Sequence, residues 1–165
     1  MTFASIILAL ITLQRLGELL LARANTRLLL ARGATEVGAG HYPWMVAIHA
    51  GWLAALWLEG WRQPVNLLGL GVFVLLQVLR VWIVLTLGAR WTTRLIVLRD
   101  APLVTGGPYR LFAHPNYLVV ALEIAVLPLT LGLWDIAAGF SVLNAMILAV
   151  RIRAEDTALS TIPAA

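Results

Sequence analysis

The chain has 165 residues, of which 61% are hydrophobic and only 12% are charged. A soluble domain of this length needs more polar side chains to cover its surface, so the composition predicts an integral membrane protein with a single domain. All twelve basic residues are arginine and most flank apolar segments, which indicates membrane topology rather than nucleic-acid binding. Cysteine is absent and no two histidines have the spacing of a helical metal pair, so we predict no metal site.

Apolar segments long enough to cross a membrane predict an all-α fold with about five transmembrane helices. They cover roughly 2–24, 43–60, 64–88, 117–133 and 136–152. The last two are separated by a short stretch around 133–135, which predicts a helical hairpin, and Pro128 is expected to kink the first of them. The single domain divides into an N-terminal three-helix part (1–89), a folded loop (90–116), the hairpin with its polar end (117–156) and a tail (157–165).

The arginines outside the predicted helices predict the orientation of the chain. Nine flank the first connection, the third connection and the end of the last helix, whereas Arg62 alone lies in the second connection. The positive-inside rule then places the N-terminus outside and the C-terminus in the cytoplasm. The loop at 90–116 is therefore expected on the cytoplasmic side.

Several ionisable residues lie inside the predicted helices, where they mark either function or an internal ion pair. Arg15 and Glu18 are three residues apart on one helical face, and Glu123 needs a cationic partner, for which Arg15 or Arg80 are the candidates. A structural ion network and a role in substrate contact both remain open for these residues. For His49, a hydrogen bond between helices is the alternative to a ligand contact.

Two polar segments from distant parts of the sequence are expected at one membrane depth. The first is GGPYRLFAHPNY at 106–117, and the second contains Arg151, Glu155 and Asp156 at the end of the last helix. Before them, 93–98 has the character of a strand that could return over 103–104 after a turn at 100–102. We therefore predict a folded lid, 91–108, over a polar pocket at the helix ends.

Several of these motifs occur together in a known family. WTTRLIVL, LVTGGPYR and HPNY, followed by Glu123 and RIRAED at 151–156, resemble the isoprenylcysteine carboxyl methyltransferase family of membrane methyltransferases. QRLGELLLARAN and GATEVGAGHYPWMVAIHA resemble its short bacterial branch, whose members O-methylate alkylpyrones. Two positions depart from the family pattern: Ala113 replaces an arginine before the histidine, and Asp156 replaces a glutamate.

The resemblance implies an S-adenosylmethionine-dependent methyltransferase in the bacterial inner membrane. It implies catalytic roles for His114, Arg151 and Glu155. The implied cofactor contacts are Gly107, Pro108, Tyr109, His114, Pro115, Tyr117 and Glu155, and the candidate acceptor contacts are Arg15, Glu18, His49, Trp91 and Glu123.

The implied partners are the lipid bilayer and a lipophilic small molecule with an acidic oxygen, with an alkylpyrone favoured over a prenylcysteine carboxylate. The non-enzymatic alternative is a small scaffold or transporter subunit. A transporter, however, is expected to carry its polar residues near the middle of the bilayer. The sequence gives no oligomeric state.

Overall fold

The computed structural model describes residues 2–98 and 101–160. This part of the chain forms five α-helices, which confirms the predicted all-α membrane fold. They are α1 (Phe3–Ala31), α2 (Tyr42–Gly60), α3 (Leu67–Leu87), α4 (Pro115–Thr130) and α5 (Trp134–Leu159). Helical segments long and apolar enough to cross a membrane are Phe3–Ala31, Leu67–Arg90 and Trp134–Ala158, and α4 is a shorter apolar helix.

Helices α1 and α5 continue beyond their predicted ends. The apolar window of α1 was expected to end near residue 24, but the helix runs to Ala31 because neither glycine nor proline occurs between residue 24 and Gly33. Helix α5 similarly includes RIRAED at 151–156, so that this polar segment extends the helix past its apolar part. The predicted tail, 157–165, begins inside this helix, which ends at Leu159, and the residues beyond 160 lie outside the described part.

Helix α4 lies at the centre of the bundle and packs against both α3 and α5. Ile124 and Leu127 of α4 join Leu8 of α1 and Trp52 and Leu56 of α2 in the main apolar core. Elsewhere many large apolar side chains of α1 and α3 are exposed, as expected for helices that face lipid rather than water. The buried face of α4 therefore fixes the positions of the residues at its ends.

The predicted hairpin between α4 and α5 is confirmed, with residues 131–133 as its connection. Pro128 lies inside the last turn of α4, and its carbonyl accepts hydrogen bonds from the N–H groups of Leu131 (3.0 Å) and Leu133 (2.9 Å). At the same end, α3 approaches α4 closely at Gly69, where a Cβ would lie 2.6 Å from Thr130 Oγ1. These contacts fix the hairpin against α3.

The predicted strand in the loop is confirmed only at Leu95–Val97 (β2), and its expected return over 103–104 is wrong. Its partner is Thr35–Val37 (β1) from the first connection, paired antiparallel with Glu36 opposite Ile96. The edge of β2 is thus occupied by a segment about 60 residues away, and Arg94 next to β2 makes an ion pair with Glu36 at 2.9 Å. This small sheet attaches the loop to the α1–α2 connection. Of the turn predicted at 100–102, residue 100 lies outside the described part.

Candidate active site

The start of α4 meets the end of α5 in a polar cluster. Arg151 Nε donates to the Tyr117 hydroxyl at 2.9 Å, and this hydroxyl donates in turn to the Glu155 carboxylate. His114 Nε2 lies 3.1 Å from Asp156 Oδ1, and its ring stacks on Tyr117 with 5.4 Å between the centroids. The prediction that these two segments meet is confirmed.

Local sequence explains why these side chains converge. His114 has a non-helical backbone and precedes Pro115, which needs no amide hydrogen and therefore suits the first helical position. The His114 carbonyl accepts from the N–H of Tyr117 at 3.1 Å and so begins the helix. On α5, the spacing of four places Arg151 and Glu155 on one face.

A cavity of about 280 Å³, here called the loop cavity, lies beside this cluster. The polar cluster forms one side of it, and the other side is formed by the loop, including residues 94–98 and 101–104. Tyr109 also lines it, and burial, together with the nearby charge of Glu155, raises the pKa of the Tyr109 hydroxyl to about 12. This phenol therefore remains protonated near neutral pH and can donate a hydrogen bond.

The predicted cofactor residues divide into two groups. Tyr109, His114, Tyr117 and Glu155 line the loop cavity, whereas Gly107, Pro108 and Pro115 do not. Gly107 has φ +56°, and a Cβ there would lie 2.6 Å from Thr86 Oγ1. The geometry thus explains Gly107 by the close approach of the loop to α3.

A second cavity of about 300 Å³, here called the membrane cavity, lies among α1, α2 and α4 and has a mostly apolar lining. Leu16, Leu19, Val46, Leu53 and Val120 are among its walls. It adjoins the loop cavity, because both are lined by Trp91, Thr92, Asn116, Tyr117 and Arg151. We call these five residues the junction. Every residue that the sequence suggested as an acceptor contact, except Glu123, lines the membrane cavity.

Glu123 instead belongs to a buried ion ring beside this cavity. Arg15 bonds to Glu18 (3.0 Å) and Glu123 (2.8 Å), and Arg80 bonds to the same two carboxylates. Gln77 donates to Glu123 at 2.7 Å. The ring joins α1, α3 and α4, and its two positive charges balance its two negative charges. Both predicted partners of Glu123, Arg15 and Arg80, are present in it.

His49 and Met45 connect α2 to the junction. His49 Nδ1 lies 2.8 Å from the Met45 carbonyl oxygen, and because a carbonyl only accepts, this nitrogen carries the hydrogen. The other ring nitrogen of His49 is then an acceptor. Arg151 Nη1 contacts Met45 Sδ at 2.9 Å, so α2 also restrains the arginine of the polar cluster.

The loop is held over α2 by a small charged and aromatic group. Arg94 lies 4.5 Å from the ring centroid of Tyr42, and the hydrogen bond with Glu36 raises the pKa of the Arg94 guanidinium. The Tyr42 hydroxyl lies 3.2 Å from Thr93 Oγ1. These contacts position the part of the loop that separates the two cavities.

Three residues of the site escaped sequence reasoning: Asn116, Met45 and Gln14. Asn116 lies inside HPNY, between two residues that were selected, and its polarity at the start of an apolar helix was the available signal. Gln14 donates to Glu18 at 3.0 Å and to Gln77 at 2.8 Å. For Met45 and Gln14 nothing in the local sequence indicated the contact.

The fold and the site define an integral membrane protein in which a cavity beside a polar cluster at the helix ends adjoins a more apolar cavity between the helices. The sequence profile of the isoprenylcysteine carboxyl methyltransferase (ICMT) family matches residues 67–161, and the chain belongs to this family. Membership suggests a membrane methyltransferase. The chain is similar to the uncharacterized protein YpbQ of Bacillus subtilis (strain 168), with 38% identity over 159 residues, 93% of this chain and 95% of the relative. No solved structure matches.

Proposed function

We propose that the protein is an S-adenosylmethionine-dependent O-methyltransferase whose acceptor is a lipophilic molecule with an acidic oxygen, an alkylpyrone-type polyketide. The observation that carries this proposal is the junction, where the loop cavity, bounded on one side by the polar cluster, and the more apolar membrane cavity share Tyr117 and Arg151. A charged cofactor and a lipophilic acceptor need different surroundings but must meet at one point. A cavity beside a charged cluster that adjoins a more apolar cavity provides that arrangement.

The proposal places the loop cavity on the cytoplasmic side. Nine arginines flank the helix ends on this side and one flanks the opposite side, which supports a cytoplasmic C-terminus and an external N-terminus. S-adenosylmethionine is a soluble, charged molecule and would reach the loop cavity from the cytoplasm. The acceptor would reach the membrane cavity from the bilayer.

The charged and aromatic side chains of the loop cavity fit the cofactor. Glu155 provides a carboxylate for its ammonium group, and Arg90 or Arg151 provides a cation for its carboxylate. The face of Tyr109 suits a sulfonium, a contact worth about 0.5–2 kcal/mol, whereas the ring of Tyr117 already stacks on His114 and lies 5.5 Å from the Arg151 guanidinium. His114 at the start of α4 supplies a further hydrogen-bonding group.

Methyl transfer to oxygen is an in-line displacement. When bound, S-adenosylmethionine supplies a methyl group on a sulfonium sulfur; as the acceptor oxygen bonds to this carbon, the carbon–sulfur bond breaks and the sulfur keeps the electron pair. An enol of a pyrone or a carboxylic acid loses its proton to water before this step, so no strong base is required. The residues of the junction orient the oxygen and exclude water, the effects expected to give most of the acceleration.

Two features support a small lipophilic acceptor. The membrane cavity has mostly apolar walls, and its acidic and arginine residues are Arg15, Glu18 and Arg80 of the balanced ion ring and Arg151 of the junction. The N-terminal motifs favour an alkylpyrone, which would yield a methyl ether. The family name favours a prenylcysteine carboxylate as the second candidate, which would yield a methyl ester.

The experiment uses purified protein in detergent. Isothermal titration with S-adenosylhomocysteine tests the loop cavity, and absence of binding would contradict the methyltransferase assignment. Incubation with methyl-labelled cofactor and either a 4-hydroxy-6-alkyl-2-pyrone or an S-farnesylcysteine then tests the acceptor. We expect label in a base-stable ether of the pyrone; label only in a base-labile ester of the cysteine derivative would replace the first candidate by the second.

A further inference from the structure

Buried polar atoms without partners lie at the junction. Among the described residues, the buried side-chain atoms that lack a hydrogen-bond partner are Arg15 Nε, Trp91 Nε1, Asn116 Oδ1 and Asn144 Oδ1. The first three belong to residues that line the membrane cavity, and Trp91 and Asn116 line the loop cavity as well. Buried polar groups are nearly always hydrogen-bonded in folded proteins. Their location indicates that a bound molecule supplies the missing partners.

Trp91 is buried and its backbone is fixed. The residue is only 3% exposed. Its backbone carbonyl accepts from Asn25 Nδ2 at 2.8 Å, and its backbone N–H donates to the Gly88 carbonyl at 3.1 Å. Asn25 is itself buried on α1, so the start of the loop is fixed to that helix. Asn25 therefore fixes the backbone from which the buried indole projects.

The chemistry of the two orphaned groups defines what they bind. An indole N–H only donates, so its partner must be an atom with a lone pair, such as a carbonyl oxygen or an oxyanion. The amide of Asn116 makes no hydrogen bond with the described residues and can present its oxygen or its NH₂ group by turning over. One donor and one adaptable amide thus belong to residues that line both cavities.

We propose that the indole N–H of Trp91 donates to the acceptor oxygen that takes the methyl group, and that the amide of Asn116 holds a neighbouring polar atom of the same acceptor. This inference rests on the proposed function. The reason is that the reacting oxygen of the acceptor has to lie where the membrane cavity adjoins the loop cavity, next to the cofactor. A hydrogen bond from Trp91 favours the ionised acceptor and aims a lone pair at the methyl carbon. Trp91 and Asn116 thereby determine the specificity for an oxygen acceptor.

The test pairs the variant Trp91→Phe with a ligand that lacks the oxygen. The affinity of the protein saturated with S-adenosylhomocysteine is measured by titration with a 4-hydroxy-6-alkyl-2-pyrone and with the matching pyrone without the 4-oxygen. We expect Trp91→Phe to weaken binding of the hydroxypyrone about ten- to a hundredfold, as for a hydrogen bond to a charged group, and to leave the deoxypyrone unchanged. S-adenosylhomocysteine itself should bind within about twofold of the wild type. If the wild type methylates the farnesylcysteine instead, that acid and its amide replace the two pyrones.

Two matched variants control for packing. Trp44→Phe changes an exposed tryptophan outside both cavities and should alter neither affinity. Trp52→Phe removes an equally buried indole whose N–H donates to the Ile124 carbonyl at 3.2 Å. Trp91→Phe should therefore destabilise the free protein less than Trp52→Phe, because only the latter orphans a carbonyl.

The outcomes separate this inference from the proposed function. If the wild type binds no S-adenosylhomocysteine, the proposed function fails. If the wild type binds it and transfers methyl, but Trp91→Phe weakens both pyrones equally or weakens S-adenosylhomocysteine instead, the role assigned to Trp91 is wrong. Asn116→Ala, a truncation at a half-buried position, provides a second arm if Trp91→Phe does not fold. It should weaken acceptor binding and spare S-adenosylhomocysteine, and an unchanged acceptor affinity would overturn the proposal.

Discussion

Neutralising Glu123 should strongly destabilise the bundle. Its side chain is only 1% exposed, and its carboxylate accepts from Arg15 Nη2 (2.8 Å), Arg80 Nε (2.8 Å) and Gln77 Nε2 (2.7 Å), with a further contact from Arg80 Nη2. Glu123→Gln keeps the size of the side chain but removes its charge. The buried Arg80 and the half-buried Arg15 would then face Glu18 alone.

The size of the effect follows from this imbalance. Removing one partner of a buried ion pair costs about 3–5 kcal/mol, because the remaining charge is left uncompensated. For a chain of this length, each kcal/mol corresponds to a shift of about 2–4 °C in Tm, so we expect a decrease of about 6–20 °C. The double variant Glu123→Gln with Arg15→Gln restores charge balance and should recover part of this loss.

The assay is the thermal unfolding of detergent-purified protein, followed by tryptophan fluorescence at one fixed scan rate, since unfolding of a membrane protein is commonly irreversible. Glu59→Gln is the matched control, because Glu59 is exposed at the end of α2 and its carboxylate makes no ion pair among the described residues. If Glu123→Gln and Glu59→Gln unfold within about 2 °C of the wild type, the ring does not hold α1, α3 and α4 together.

Four further outcomes concern the loop and the polar cluster. His114→Ala and Glu155→Ala should abolish methyl transfer while the protein still folds. Tm should be unchanged for His114→Ala and lowered for Glu155→Ala, because the buried Arg151 loses the carboxylate that it reaches through the Tyr117 hydroxyl; full turnover by Glu155→Ala would show that the site is misassigned. Tyr117→Phe should lower transfer while S-adenosylhomocysteine still binds, because Arg151 and Glu155 lose the hydroxyl that links them, and an unchanged rate would refute this. Glu36→Gln should cost less than about 1 kcal/mol, since the side chain of its partner Arg94 is 42% exposed, and a larger loss of Tm would contradict that estimate. Because the pKa of Tyr109 is raised, its contribution to the free energy of unfolding should be fully present below pH 10 and should be lost as the pH rises towards 12. Tyr109→Phe should reduce this loss, which melting curves at pH 8 and pH 11 would test.

The sequence was sufficient for the helices and for the partners of Glu123. Long apolar segments identify membrane helices because the bilayer excludes unsatisfied backbone groups, and a carboxylate inside such a helix must meet a cation. Arg15 and Arg80 were the available cations within the predicted helices. The convergence of HPNY with RIRAED was also predictable, because both segments lie at helix ends on one side of the membrane.

The sheet and the junction could not be derived in this way. β1 and β2 are three residues long and about 60 residues apart, so their pairing depends on how α1 and α2 place the first connection. The position of Trp91 depends on the hydrogen bond from Asn25 to its backbone carbonyl, and no local pattern indicated that partner. Local periodicity shows which face a residue occupies, but it does not show which backbone group that face will meet.

Helix α4 connects stability to the proposed chemistry. Tyr117 lies in its first turn and Glu123 lies six residues further along, so the contacts of Glu123 with α1 and α3 also fix the height and rotation of Tyr117. Tyr117 in turn receives Arg151 from α5, and Trp91 is tied to α1 through Asn25. Both sides of the junction are thus attached to α1: Tyr117 through the ion ring and Trp91 through the neutral amide of Asn25. A substitution in the ring should therefore disturb the alignment of the acceptor more than it disturbs the loop cavity. We expect a folded Glu123→Gln protein to lose methyl transfer and to retain binding of S-adenosylhomocysteine. Loss of both at a temperature where the variant is folded would contradict this separation.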